Sequence, residues 1–428
     1  MSSPLRLGIA GLGTVGTGVV RIVRQKAETL ARRAGRPVTI TAVSARTRNK
    51  DRGVSLSEYA WEDDPVALAR RDDVDVFVEL MGGSDGPAKA ATEAAIAAGK
   101  DVVTANKAML AHHGQALALA AEAAGRVIRF EAAVAGGIPV VKALTEGLAG
   151  NDITRVMGVM NGTCNYILTR MEATGQGYNA LFEEADRLGY LEADPNLDVG
   201  GIDAGHKLAL LSAIAFGCQV DFAGVTLDGI QDITLDDIRR AGDMGYRIKL
   251  LGVTQMTGRG LESRMSPCLV PAASPLGQLE GGTNMVVIEG DQVEQIVLRG
   301  PGAGMGPTAS AVMGDVMDLA RGLRVSTFGQ PAATLAPCPR AGTATPASYY
   351  LRMALRDKPG ALAKVATCLG EAGVSIDRMR QTRHESDAAP VLIITHACAR
   401  QDLEKAMQRI TALEVSTEPP VAYRIENI

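Results

Sequence analysis

The sequence predicts an α/β protein in three parts: a doubly wound parallel sheet at the N-terminus, a central α+β part, and a C-terminal βαββαβ module. Three observations carry this. Short apolar runs alternate with helix-like stretches over residues 5–130, as in a parallel sheet covered by crossover helices. A glycine-rich turn separates the first run from the first helix. From residue 348 the order strand, helix, strand, strand, helix, strand follows a segment carrying Pro331, Pro337, Pro339 and Pro346, which reads as a linker.

Residues 5–10, LRLGIA, read as a buried strand that enters Gly11-Leu12-Gly13-Thr14-Val15-Gly16 ahead of a predicted helix at 17–31. Strand, G-x-G-x-x-G and helix in that order form the Rossmann-type dinucleotide fingerprint. Gly11 permits the tight turn, Gly13 lets the backbone approach a pyrophosphate, and Gly16 lets the helix pack on the strand; Thr14 and Val15 complete the turn at a helix N-terminus whose N–H groups suit phosphates. The second strand is predicted at 38–43. No acid ends it to bind a ribose 2′-OH; Arg46 stands there, with Arg48 and Lys50 behind. A cation suits a 2′-phosphate, which favours NADP over NAD.

Strands at 74–80, 101–104 and 126–130, with helices at 87–98 and 114–124, continue the alternation. Ligands of such sheets lie at the carboxyl ends of the strands. There Gly82, followed by Gly83, allows close approach of a cofactor, and Thr104-Ala105-Asn106-Lys107 places an amide and an amine where a nicotinamide would lie. The segment EAAVAGGIP at 131–139 then leaves the sheet, with Pro139 expected to open a helix. It reads as a domain crossover whose small residues also leave carbonyls accessible to a hard cation.

The central part starts with a strand at 153–160 and the run Asn161-Gly162-Thr163-Cys164-Asn165-Tyr166; Cys164 is a candidate nucleophile with no histidine close in sequence. After a helix at 179–188 comes GYLEADPNLDVGGIDAGHK, where Glu192, Asp194, Asp198 and Asp203 crowd a loop before a long apolar helix starting at about Asp203. Lys207 follows Asp203 by one turn and shares its helix face. Such pairs are ordinarily solvated, but LALLSAIAFG is too apolar for a surface helix, so acid and amine are expected at the edge of a buried site. Residues 247–299 are strand-like, with a hairpin turning at Gly290-Asp291, and this sheet is expected to cover the substrate helices and to pair two subunits. The loop GPGAGMG at 300–306, ending in Gly306, and a helix at 308–321 are expected to pack back on the nucleotide part.

The domains predicted are therefore 1–135 (completed by the helix near 306–322), 136–305, a linker at 323–347, and 348–428. With 428 residues, 46% hydrophobic, 21% charged and a net charge of −4, nothing is basic enough to track nucleic acid, and no apolar run approaches the ~20 residues of a membrane span. The N-terminus passes into a strand without a leader-like segment, which places the protein in the cytoplasm. Six scattered cysteines without a CxxC suggest neither zinc nor a disulfide framework.

NGTCNYIL, AAVAGGIP, VTANKA and GYLEADPNLDVGGIDAGHK together resemble the homoserine dehydrogenase family, and the tail, with DKPGAL opening its first helix, resembles an ACT domain. The resemblance implies an oxidoreductase of threonine and methionine biosynthesis that interconverts L-aspartate 4-semialdehyde and L-homoserine with NAD(P)(H). It implies Lys107 and Lys207 near the reacting oxygen, Lys107 also at the substrate, Asp203 orienting them, Glu192 and Asp198 on the substrate, and a sodium ion on the backbone carbonyls of Glu131, Val134, Gly136 and Ile138. It also implies a homodimer or homotetramer whose ACT domain binds an amino-acid effector, threonine foremost. Either lysine is open as the proton donor. Two other readings compete: an amino-acid sensor without catalysis, and a thiol-dependent semialdehyde dehydrogenase acting through Cys164.

Overall fold

A computed structural model of the chain describes residues 3–191, 194–381, 388–413 and 415–427. The N-terminal sheet is built from β1 (Leu5–Ala10), β2 (Val38–Ser44), β3 (Ala60–Glu62), β4 (Val76–Glu79), β5 (Asp101–Thr104) and β6 (Ile128–Arg129) in the order β3-β2-β1-β4-β5-β6. Every pair is parallel, the doubly wound arrangement expected. Its strands are aliphatic because helices cover both faces: Leu7, Ile9, Phe77, Val78, Val102 and Val103 have no exposed surface.

The first helix starts earlier than expected and breaks. α1 (Thr14–Gln25) takes the last residues of the glycine turn into its first coil, and α2 (Ala27–Ala34) follows a kink at Lys26. β3 and α3 (Pro65–Arg70) have no counterpart in the sequence reading; α3 is fixed by Asp64, whose side chain accepts from the Val66 N–H, and by Pro65 at its first position. After α4 (Pro87–Ala97), α5 runs Lys107–Ala123, so the expected start at Gly114 is wrong. Asn106 caps it by accepting the Met109 N–H at 3.1 Å, and Gly114 is an interior glycine against which the Phe328 ring packs. Lys107 is thereby the first residue of a helix and not part of a loop. The helix expected at Pro139 is only the short turn α6 (Val140–Lys142) followed by a wider turn at Ala143–Gly147.

The central part contributes β7 (Ile153–Val159), α7 (Gly162–Thr174), α8 (Tyr178–Arg187), α9 (Pro195–Val199), α10 (Ile202–Phe216), β8 (Val225–Leu227), α11 (Leu235–Asp243) and strands β9 (Tyr246–Thr257), β10 (Gly260–Pro271), β11 (Thr283–Gly290) and β12 (Glu294–Pro301). β11 and β12 form the predicted hairpin. α12 (Met305–Ala320) returns to the first sheet: a Cβ on Gly18 of α1 would lie 2.9 Å from Ala309, and Val312 and Val316 share a core with Val19 and Val20.

The C-terminal module has β13 (Tyr349–Arg356), α13 (Ala361–Glu371), β14 (Ile376–Gln381), β15 (Ala388–Thr395), α14 (Arg400–Ala412) and β16 (Val421–Ile425), the βαββαβ order expected. Its sheet is not separate. β16 pairs in parallel with β10 through Cys268↔Arg424 and Leu269↔Ile425, which joins both parts into one sheet ordered β12-β11-β7-β9-β10-β16-β13-β15-β14, with β8 also beside β10. Among the described residues no helix is long and apolar enough to cross a membrane.

Candidate active site

The glycine turn has the shape a dinucleotide needs. Gly11 is left-handed (φ +97), and a Cβ there would meet the Leu80 carbonyl oxygen at 2.3 Å; one on Gly16 would meet the Gly11 oxygen at 2.0 Å. Gly13 faces open space, with nothing within 4 Å of a Cβ position, and it begins α1 without a side-chain cap. The first N–H groups of the helix are thus left for an anion. Thr14 is exposed and Val15 half-buried beside the turn, and Arg46 stands exposed past the end of β2. Arg52 steadies the loop after Arg46, donating to the carbonyls of Leu12, Thr47, Arg48 and Lys50.

Between this sheet and the central part lies a cleft of about 670 Å³ that gathers Val15, Lys107, Gly136, Asp198, Asp203 and Lys207. A smaller hollow of about 180 Å³ adjoins it at Val15, Gly82 and Asn106. α10 brings Asp203 in its first turn and Lys207 one turn on, and α5 brings Lys107 from the opposite side. Lys107 Nζ lies 2.8 Å from Asp203 Oδ1, and Lys207 Nζ lies 2.7 Å from Oδ2. Lys207 also donates to the Met160 carbonyl at 2.9 Å. Burial pushes the Asp203 carboxyl up, but Lys207 and Lys107 outweigh it and hold the group well below the usual carboxylate range.

Asp198 is 4% exposed and accepts the Asn161 amide at 3.0 Å. Asp194 caps α9 by accepting the Asn196 N–H. Glu192 lies outside the described residues. Thr104 is fully buried, with its hydroxyl donating to Glu79 at 2.6 Å. Gly306 sits in the first turn of α12, between the cleft residues Gly304 and Thr308. Glu131, Val134 and Ile138 are buried behind the cleft. The Glu131 carboxylate accepts the N–H groups of Val141 and Lys142, and burial together with Asp315 pushes its pKa up to about 7. Backbone at Ala135 (φ 54) and Gly136 (φ 55) is left-handed. Among the described residues no cluster of three His, Cys, Asp or Glu could hold a metal.

Three contributors escaped the sequence reading. Tyr190 lines the cleft and stacks on Tyr166 at 4.7 Å. Asn284, at the start of β11, is 1% exposed, and its Oδ1 at the cleft wall has no hydrogen-bond partner among the described residues. Neither carried a sequence signal beyond residue type. Glu79 did carry one, as an acid closing an otherwise aliphatic strand. The thiol reading fails: Cys164 is completely buried, donates to the Asp198 carbonyl at 3.3 Å, and its pKa is raised well above the ordinary value by burial, Asp198 and Asp203. A protonated, occupied thiol is not a nucleophile.

A dinucleotide turn, and two amines on one carboxylate across a cleft from it, define a nicotinamide-dependent dehydrogenase. A sequence model of the homoserine dehydrogenase family matches residues 139–317, that of its NAD-binding domain residues 11–131, and the ACT domain model residues 349–415. The chain is 41% identical to a homoserine dehydrogenase of Neisseria gonorrhoeae and 35% identical to one of Bacillus subtilis, each over at least 98% of both chains. The crystal structure of a homoserine dehydrogenase from Thiobacillus denitrificans superimposes with a TM-score of 0.93 at 38% identity, covering 99% of this chain and 98% of that one. An archaeal homoserine dehydrogenase mutant solved in complex with NADPH matches 74% of this chain, with TM-score 0.62 and 26% identity over 97% of its own length. The chain belongs to the homoserine dehydrogenase family, with an ACT domain at its C-terminus. It is an oxidoreductase that interconverts L-aspartate 4-semialdehyde and L-homoserine with a nicotinamide cofactor, which excludes the non-catalytic sensor reading.

Proposed function

We propose that the Asp203 carboxylate, shared by Lys107 and Lys207, forms the proton-handling centre of this reaction, and that the shared pairing is the observation that carries the assignment. The bound nicotinamide supplies the hydride for reduction and accepts it for oxidation. Of the three N–H groups of Lys207, two are given to Asp203 and Met160, so the third is available to the carbonyl oxygen of the semialdehyde, to which it passes a proton as the alkoxide forms. Lys107, on the cofactor side, holds Asp203 and the same oxygen. Asp198 and Glu192 take the substrate's ammonium end.

The fingerprint residues Gly11, Gly13, Thr14, Val15 and Gly16 hold the pyrophosphate, Gly82 and Gly306 flank the cofactor, and Thr104 supports the nicotinamide loop. Arg46 favours NADP over NAD, a reading supported by the relative solved with NADPH. A sodium ion suits the carbonyls of Glu131, Val134, Gly136 and Ile138, because neutral oxygens in a buried, tightly turned segment match a hard cation. The ACT domain takes an amino-acid effector, threonine foremost, in a cytoplasmic homodimer or homotetramer paired through the central and ACT sheets.

The test is steady-state oxidation of homoserine with each cofactor. Lys207→Ala should lower kcat roughly 10²–10⁴-fold, the span of general acid–base catalysis; a variant within a few-fold of the parent would remove Lys207 from the mechanism. Arg46→Ala should raise the KM for NADP much more than that for NAD, and equal effects would remove the 2′-phosphate role.

A further inference from the structure

Glu79 ends β4 with no exposed surface, and among the described residues its hydrogen-bond partners are all neutral. Oε1 accepts the N–H groups of Met81 at 2.7 Å and Gly82 at 3.2 Å, and Oε2 accepts the Thr104 hydroxyl at 2.6 Å. Burying a carboxylate without a cation costs several kcal/mol, and an apolar residue would fill a strand end at no such cost. Burial accordingly raises its pKa, with the hydrogen bonds from Thr104, Met81, Gly82 and Asn106 pulling the other way.

The two ends that this carboxylate ties together flank the hollow beside the active cleft. On one side is the turn Met81-Gly82-Gly83, where Gly82 (φ +79) and Gly83 (φ +89) are both left-handed. On the other, Thr104 Oγ1 accepts the Asn106 N–H at 2.9 Å, Asn106 Nδ2 donates to the Gly83 carbonyl at 2.8 Å, and Asn106 caps α5. The next residue is Lys107, which reaches Asp203. A continuous set of hydrogen bonds thus runs from Glu79 through Thr104 and Asn106 to Met109 in the first turn of α5, the turn that Lys107 opens.

We propose that Glu79 is a positioning residue for hydride transfer, holding the glycine turn after β4 and the loop after β5 at the separation the nicotinamide ring needs and aiming Lys107 at the substrate oxygen. It touches neither substrate nor reacting atoms. The inference rests on the placement of the nicotinamide beside residues 104–107 proposed above.

Glu79→Gln tests it. The amide keeps the size and one acceptor, but its NH₂ faces a Thr104 hydroxyl that already accepts from Asn106, so the hydroxyl proton loses its partner. With NADP and homoserine carrying deuterium at its carbinol carbon, kcat should fall roughly 10–10²-fold, as small misplacements of reacting groups do. The KM for NADP should rise, and the primary isotope effect on kcat should increase as the hydride step becomes limiting. Thr104→Val, which removes the same bond from the other side, serves if Glu79→Gln does not fold; it should move the same quantities the same way, and the double variant should be no worse than Glu79→Gln alone. A loss of active fraction with the isotope effect and the KM for NADP unchanged would reduce Glu79 to a structural role and overturn the proposal. A rise confined to the KM for homoserine would instead overturn the nicotinamide placement itself, and the proposal with it.

Discussion

Two buried charge clusters of this molecule are built on opposite principles. In the cleft, one carboxylate, Asp203, is shared by two ammonium groups beside open volume. At the seam between β10 and β16, Glu426 pairs with Arg155, Arg264 and Arg424, while Arg264 also meets Glu262 and Arg155 lies 3.7 Å from Glu289. There three guanidiniums meet three carboxylates. Glu262 is further satisfied by the Thr345 N–H and hydroxyl and by Gln255. A closed cluster of this kind holds two parts of the chain together; a carboxylate shared by two amines at the wall of a cleft holds them where a ligand would enter.

The comparison breaks most visibly if the wrong cluster is found to govern rate. Asp203→Asn should lower kcat roughly 10²–10³-fold, on the scale of losing one preorganised electrostatic contact, because both lysines lose their anchor and repel each other. The thermal midpoint should move less than at the seam, since Lys107 keeps about a quarter of its side chain in solvent. Steady-state kinetics beside a melting curve checks this, and near-parent kcat in the Asp203→Asn enzyme would show the triad to be merely structural.

At the seam the outcome should be reversed. Burial pushes the Glu426 carboxyl up, but Arg264, Arg424 and Arg155 hold it below its ordinary value. Glu426→Gln leaves these guanidiniums short of a partner, and breaking a buried pair in this way costs about 3–5 kcal/mol. Chemical denaturation should register that loss, while kcat of the folded enzyme without effector stays near the parent's. A fall in kcat without a fall in stability would mean that the seam shapes the active site directly.

The same contrast explains what was legible in the sequence. Local patterns were: β1, β5, β13 and β16 lie at their expected residues, and the Asp203/Lys207 pair follows from helical spacing alone. Contacts between distant segments were not. That Lys107 would share Asp203 required α5 to start at Lys107, and Gly114 disguised that start because its missing side chain serves the packing of Phe328. The fusion of the ACT sheet to the central sheet rests on two residue pairs, and no strand pattern distinguishes a strand edge that will be covered from one that stays bare. β3 and α3 escaped because both are short, and Glu192 falls outside the described residues.

Lys249 offers a third arrangement and a finer test: a buried cation whose hydrogen bonds among the described residues go to neutral oxygens, Asn165 Oδ1 at 2.9 Å and the Leu279 carbonyl. Burial, helped by Arg247, lowers its pKa from 10.5 to about 8. Below pH 8 both folded and unfolded chains hold the proton and the cost of burying the charge is fully present. Between pH 8 and 10.5 the folded chain releases it first, so the unfolded state binds more protons and stability rises with pH. The gain should total about 3.5 kcal/mol, from ~1.4 kcal/mol per pKa unit. Unfolding free energies measured by denaturant from pH 7 to about 10.5 should therefore diverge between the parent and Lys249→Met, with only the parent showing this one-proton rise. Parallel curves would mean that the charge at Lys249 is as well solvated by its amide and carbonyl partners as by water, and that the carboxylates of the seam are not needed to hold a cation inside this fold.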